Sequence, residues 1–599
     1  MIYHCEDHTC NYWDEGEKLP ERCPQCGRKL LRANEADMTG DDWTALGNTL
    51  WDAEASDKKR MVDCFRKAAY LGSAWGVCNL GICMEQGNGV EADPVQAFWL
   101  YQQAVEMGSL NAVCCLGVCY QYGIGTAPDA EKAAELYCKA AEYGSPRGQM
   151  LLARAFHDGI GVEADAAEAV HWVRAAAYQR YGEGMYRLGV CYEYGDGVEQ
   201  NWEHAVHWFR EAAESGVSVA MTDLGYCYEK GCGVEQSWEQ AFSWYRRGAE
   251  CGDLRSMHNL GYCYEKGRGV EQSWEQAFSW YRRGAECGYP VSMSNLGLCY
   301  KRGYGVDQNW QEAIKWYEQG AQCGDLQSMH NLACCYERGE GVEQNEERAL
   351  YWYRRGAEAG SDYCMYCLGW NYSNGEGVEQ NMTEAIRWYT AAAEGGNADA
   401  MHDLGWHYDH GEGVEQDMKK AICWYERAAE QNHPAAMNSL GECYAMGRGV
   451  PRDLETAMEW YRRAAELGEA MADYNMGWHL EQAGKLSEAY AHYRKAADGN
   501  DDSAWWALGR FYENGVVVAQ DGKEARRCYE TGEKLGSVKC KMRLARCKLL
   551  GIGGRREKKA GLDLCRQALE LAKESSEKED YGYEAEMNLL RRTIAENES

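Results

Sequence analysis

The sequence predicts an all-α fold, an αα-hairpin solenoid of stacked repeats, and three observations carry that prediction. First, Gly-x-Gly returns every 36 residues, at Gly87, Gly123, Gly159, Gly195, Gly231, Gly267, Gly303, Gly339, Gly375, Gly411 and Gly447, without a slip. Second, each unit repeats one skeleton: Leu-Gly-x-x-Tyr, Gly-x-Gly-Val, Ala-x-x-Trp-Tyr, Ala-Glu-x-Gly. Third, the apolar residues on either side of the glycines recur at helical spacing, as in Ala241, Trp244, Tyr245 and Ala249. A unit this short cannot bury its own apolar face, so neighbours must stack.

The chain begins with a separate module, residues 1–32. Cys5-x4-Cys10 is followed by Cys23-Pro24-Gln25-Cys26-Gly27. A Cys-Pro-x-Cys-Gly turn aims two thiolates and backbone N–H groups at one metal. It resembles the knuckle of a zinc ribbon or rubredoxin. The expected ligands are Cys5, Cys10, Cys23 and Cys26 around a structural Zn2+, with iron the alternative. His8 rivals Cys10, because Cys5-x2-His8 is also a ligand spacing. Thirty residues hardly fold without such a staple. Residues 33–42 form a short polar linker.

Residues 43–555 hold the repeats. In the type unit, helix A is expected over 219–230, with Leu224, Gly225 and Tyr228 on its packing face. Gly231-Cys232-Gly233 ends it, since glycine tolerates the left-handed conformation at a helix end. Helix B is expected over 237–251, with Ser237 as N-cap and Gln240 three residues on. An alanine column runs through thirteen units from Ala97 to Ala525, where helix B should meet helix A. The Trp and Tyr columns are expected to fill the space between units. Leu-Gly or its equivalents mark about fifteen units, from Leu46 to Leu544. Residues 224–252 and 260–288 differ only at Cys232 and Arg268. The tail, 556–599, reads as two charged capping helices.

Composition narrows the partners. A net charge of -31 disfavours nucleic-acid backbones and anionic membranes. No apolar run approaches the roughly 20 residues of a membrane helix. The 29 cysteines are odd in number and the N-terminus carries no secretory pattern, so reduced thiols in a cytoplasmic protein are expected. Nine of them, Cys83, Cys119, Cys191, Cys227, Cys263, Cys299, Cys335, Cys443 and Cys547, form one column, as small buried hydrophobes. No P-loop, nucleophile elbow or zinc-protease helix occurs, so no enzyme is expected. His258, His330 and His402 lie two units apart, too far to share an ion whose ligands sit at about 2 Å.

Taken together, Leu-Gly-x-x-Tyr, Gly-x-Gly-Val and Ala-x-x-Trp-Tyr-x-x-Ala-Ala-Glu-x-Gly resemble the Sel-1-like repeat family, relatives of the tetratricopeptide repeat. That resemblance implies a right-handed superhelix acting as an adaptor for protein complexes, with helix A lining a concave groove. Three columns would then face the groove. One is Tyr186, Thr222, His258, Ser294, His330, Tyr366, His402, Tyr474 and Trp506. The second is Tyr226, Tyr262, Leu298, Trp370, Trp406 and Trp478. The third is Glu193, Glu229, Glu265, Glu337, Asp409 and Glu513. Rings plus carboxylates would suit a protein or peptide carrying Lys or Arg. Cysteine-rich bacterial relatives point to an alternative, a hydrolase of cell-wall or β-lactam type. Their paired cysteines are not matched here, where Ala249, Ala285 and Ala357 stand at the first site. A host-directed effector exported without a classical signal is the other alternative.

Overall fold

The computed structural model describes residues 2–5, 13–15, 30–33, 38–51, 55–578 and 584–598. Three short strands come first: β1 (Ile2–Cys5), β2 (Trp13–Glu15) and β3 (Leu30–Ala33). They form one antiparallel sheet in the order β2-β1-β3, with Ile2 opposite both Glu15 and Ala33. Cys5 closes β1, while His8, Cys10, Cys23 and Cys26 lie outside the described residues.

Every described element from Gly40 onward is a helix. They alternate as α1 (Gly40–Thr49), α2 (Ala55–Tyr70) and so on to α31 (Glu584–Glu598), the odd-numbered ones taking the place of helix A. Two compact units result, 1–309 and 310–599.

In the first unit, α11 (Ser218–Lys230) and α12 (Trp238–Glu250) bear out the type repeat. Gly231 closes α11 at φ +76°, and both its N–H and that of Cys232 donate to the Cys227 carbonyl, at 2.8 and 3.0 Å. This satisfies carbonyl groups that a helix end leaves open. Ser237 caps α12 by accepting from the Gln240 N–H at 3.3 Å. The second glycine has a different task. A Cβ on Gly233 would lie 2.3 Å from the Trp202 carbonyl oxygen, in α10 (Trp202–Glu214) of the preceding repeat. Gly269 stands in the same relation to the Trp238 carbonyl. Successive hairpins therefore touch backbone to backbone through this glycine.

The Tyr and Trp columns divide their work. Tyr245 is fully buried inside its own hairpin, and its ring fills the notch left by Gly225, where a Cβ would sit 2.6 Å from Cε1. Tyr281 fills Gly261 the same way. The Ala column is buried throughout, and at Ala205 its carbonyl faces Gly189 of helix A, as expected of the A–B contact. Trp244 is buried among residues of α10 and α11, with the Arg247 guanidinium 4.3 Å from its ring centre. Burying each tyrosine contributes about 2 kcal/mol.

The second unit uses the same devices. Tyr389, Tyr425 and Tyr461 are buried against Gly369, Gly405 and Gly441. At its end α29 (Val538–Leu550) pairs with α30 (Lys558–Lys578), and α31 packs on both. Arg543 fixes the join, bonding Glu586 of α31 at 2.7 Å and Glu513 at 3.3 Å. No described helix is long and apolar enough to cross a membrane.

Candidate partner-binding face

One row of A-helix side chains stays open to solvent. It is the position after the Leu-Gly glycine. In the first unit it holds Tyr226, 44% exposed, and the half-buried Tyr262. In the second it holds Trp370, Trp406 and Trp478, at 47%, 37% and 39%. Exposed rings of this size recurring at one helix position, though interrupted by Leu298, Cys334 and Glu442, are not what a surface needs for solubility.

The carboxylate column is placed differently. The Tyr245 hydroxyl donates to Glu229 Oε2 at 2.9 Å, and Tyr281 to Glu265 Oε2 at 2.8 Å. The other oxygens accept from Lys230 (2.8 Å) and Lys266 (2.7 Å). Those ammonium groups lie beside the Tyr226 and Tyr262 rings, 5.7 and 5.9 Å from their centres. Tyr353 donates to Glu337 at 3.3 Å, and burial pushes the Glu337 carboxyl up. Glu513 takes the Tyr529 hydroxyl at 2.8 Å. These acids first serve to satisfy a buried hydroxyl 16 residues away, which would otherwise carry a desolvation penalty.

The first column does not face open solvent; it packs toward the next A helix. Thr222 and Ser294 are buried, and Thr222 donates to Asp253 at 2.6 Å. Tyr186 donates to Asp223 at 3.0 Å and Tyr366 to Asp403 at 3.1 Å, each partner one repeat on. His258 lies against Tyr281 and Tyr289, and His402 against Tyr425 and His433. The correction has a simple cause: an A helix is covered on two sides, by its own B helix and by the following A helix. Sequence reasoning missed the residue just before the Leu. Asn79, Asp223, Asn295, Asp403 and Asn475 bridge neighbouring A helices there. The persistence of Asn or Asp at one register position was the available signal.

The cysteines from Cys64 to Cys565 are free thiols. Burial pushes Cys83 up to about 11 and Cys227 and Cys263 up to about 12, so the column stays protonated and packs as apolar atoms. No group of three metal-ligating side chains occurs among the described residues.

The Sel1 repeat model matches the chain in 14 stretches between residues 76 and 573. The crystal structure of c5321, a protective antigen present in uropathogenic Escherichia coli strains displaying an SLR fold, is 32% identical. The match covers 75% of this chain and 97% of that one, with a TM-score of 0.52. A Sel1 repeat protein from Oxalobacter formigenes is 30% identical over 41% of this chain and 96% of its own, with a TM-score of 0.38. A chain of the APC/C hetero-tetramer Cut9-Hcn1 is 13% identical over 88% of this chain and 98% of its own, at a TM-score of 0.50, a likeness of fold alone. No curated protein matches the sequence.

Proposed function

The chain belongs to the Sel1 repeat family, and from that premise we propose that it is a non-catalytic scaffold that holds a protein segment against its A helices. One observation supports this above all: the exposed rings on the A helices of each unit, Tyr226 with Tyr262 in the first and Trp370, Trp406 and Trp478 in the second. Large rings with few rotatable bonds concentrate binding energy at protein interfaces. The segment is basic in this reading. A chain of charge -31 attracts cations, and a partner Lys or Arg can lie on these rings and exchange with Lys230 or Lys266 at Glu229 or Glu265. Glu337 offers a third carboxylate of the same kind. Nucleic acid is not a partner on this reading.

The test is an affinity pull-down from native lysate with the full chain beside the triple variant Tyr262→Ala, Trp370→Ala, Trp406→Ala. Loss of a partner by the variant supports recognition by the A-helix row. A partner kept by the variant but lost on deleting residues 1–32 overturns it and moves recognition to the N-terminal module.

That module, on the same proposal, is a zinc ribbon held by Cys5, Cys10, Cys23 and Cys26. The antiparallel β2-β1-β3 sheet, with Cys5 at the end of β1, suits such a site. Metal analysis of purified protein should give one zinc per chain, absent after Cys23→Ser with Cys26→Ser. Iron would change the metal, zinc kept by Cys10→Ser would pass that ligand to His8, and a metal-free protein would end the reading.

A further inference from the structure

One hairpin lacks the ring that fills all its neighbours. In α7 (Pro146–Asp158) and α8 (Ala166–Tyr178), Val173 stands where α6 (Ala130–Glu142) has Tyr137 and α10 has Phe209. Ala153 stands where the notch glycine belongs, and His157 where Glu229 and Glu265 take their tyrosines' hydroxyls. Neighbouring side chains have not closed the gap. A cavity of about 620 Å³ lies there, floored by Met150, Ala153, Val170 and Val173. That is within the range of about 300–1,000 Å³ typical of small-molecule sites.

The rim carries Arg147, Arg154, Arg187 and His157 against Asp158, Glu183 and Asp196. Asp158 is held by Arg154 (3.3 Å) and His157 (2.8 Å), and Asp196 by His157 at 3.1 Å. Glu183 is exposed on the rim, four residues before Arg187 on the same helix (Gly182–Tyr194). Arg147 uses one nitrogen on Asn111 Oδ1 (2.6 Å) and Cys115 Sγ (3.5 Å). Arg187 is exposed and makes no ion pair among the described residues. Arg147 and Arg187 thus line the opening with no carboxylate contact among the described residues, Glu183 being the acid that shares the rim with them.

We propose that this cavity binds a small apolar monocarboxylate, its body seated where neighbouring hairpins hold a tyrosine ring and its carboxylate on Arg187 and Arg147. Planar guanidinium groups hold carboxylates through paired, charge-assisted hydrogen bonds. The apolar floor supplies the rest by desolvation. The site does not depend on the exposed aromatic row and stands or falls separately from it.

Isothermal titration of the full chain with 4-phenylbutyrate, and with its neutral amide, tests this. One carboxylate should bind per chain, and the amide about tenfold more weakly or worse, the loss expected for a charge-assisted pair. Val173→Tyr with Ala153→Gly restores the neighbours' packing; it should abolish binding and raise the melting temperature. Arg187→Met lies on the surface, away from the core, and should weaken binding about tenfold. It decides the matter if the filled variant misfolds by circular dichroism. No binding to the parent chain, equal binding of the amide, or binding undiminished in the filled variant or in Arg187→Met would overturn the proposal.

Discussion

His258 shows how a single residue is set by its surroundings. It lies between Tyr281 and Tyr289, and burial pushes its imidazole down to about 4 from the ordinary 6.5, with Glu265 opposing. The folded chain thus keeps the ring neutral while the unfolded chain protonates it near 6.5. Below that pH the unfolded state binds the extra proton, so this residue's contribution is lost as pH falls from 6.5 toward 4. His258→Phe should flatten that part of the stability–pH curve, measured by thermal melts across the window. An unchanged slope would show that the ring is solvated in the fold. The tyrosine column obeys the same logic with other chemistry. Tyr245 and Tyr281 are driven up by burial and then by the glutamates they bond, so both stay neutral donors.

At the level of the element, caps and glycines do most of the specifying. Ser145 caps α7 and Asp253 caps α13 (Leu254–Lys266) through the N–H groups of Gly148 and Ser256. Such caps contribute about 1 kcal/mol each. The two loop glycines are not equivalent. Gly231 ends its helix; Gly233 lets the loop rest on the α10 backbone. Gly233→Ala must therefore both strain a φ of +68° and push the hairpins apart, at a cost of about 1–3 kcal/mol. Amide hydrogen exchange should speed up in α10 and α11 while distant repeats keep their protection. Uniform acceleration would mean that unfolding is global rather than local.

At the largest scale, the contact pattern within each of the two units is one-dimensional. Helices contact their sequence neighbours within each unit, and several A helices also touch the next A helix less extensively. Stability in such an arrangement is a sum of repeat and interface terms rather than one cooperative core. A fragment ending at Gly288, after α14 (Trp274–Glu286), should keep the helicity per residue of the full chain and melt in its own transition. Circular dichroism of the fragment checks this, and collapse of its helical signal would show that distant repeats are required.

What the sequence by itself determined is local and periodic. The 36-residue period, the helix limits of the type unit, the Ser237 cap, the Gly231 ending, the buried Ala column and a Cys column buried everywhere but at Cys191 all follow from hydrogen bonds and backbone preferences a few residues in reach. What only the tertiary structure decided is which faces meet water. Trp406 and Glu229 sit on equivalent A helices, yet one ring stays open while the other carboxylate is engaged by Tyr245 16 residues away. His258 and Tyr186 lie against residues about one repeat on. Val173 reads as one more apolar residue until the ring missing from its hairpin appears as a cavity. Exposure belongs to the neighbours a residue acquires when hairpins stack, and no helix carries that information in its own turns.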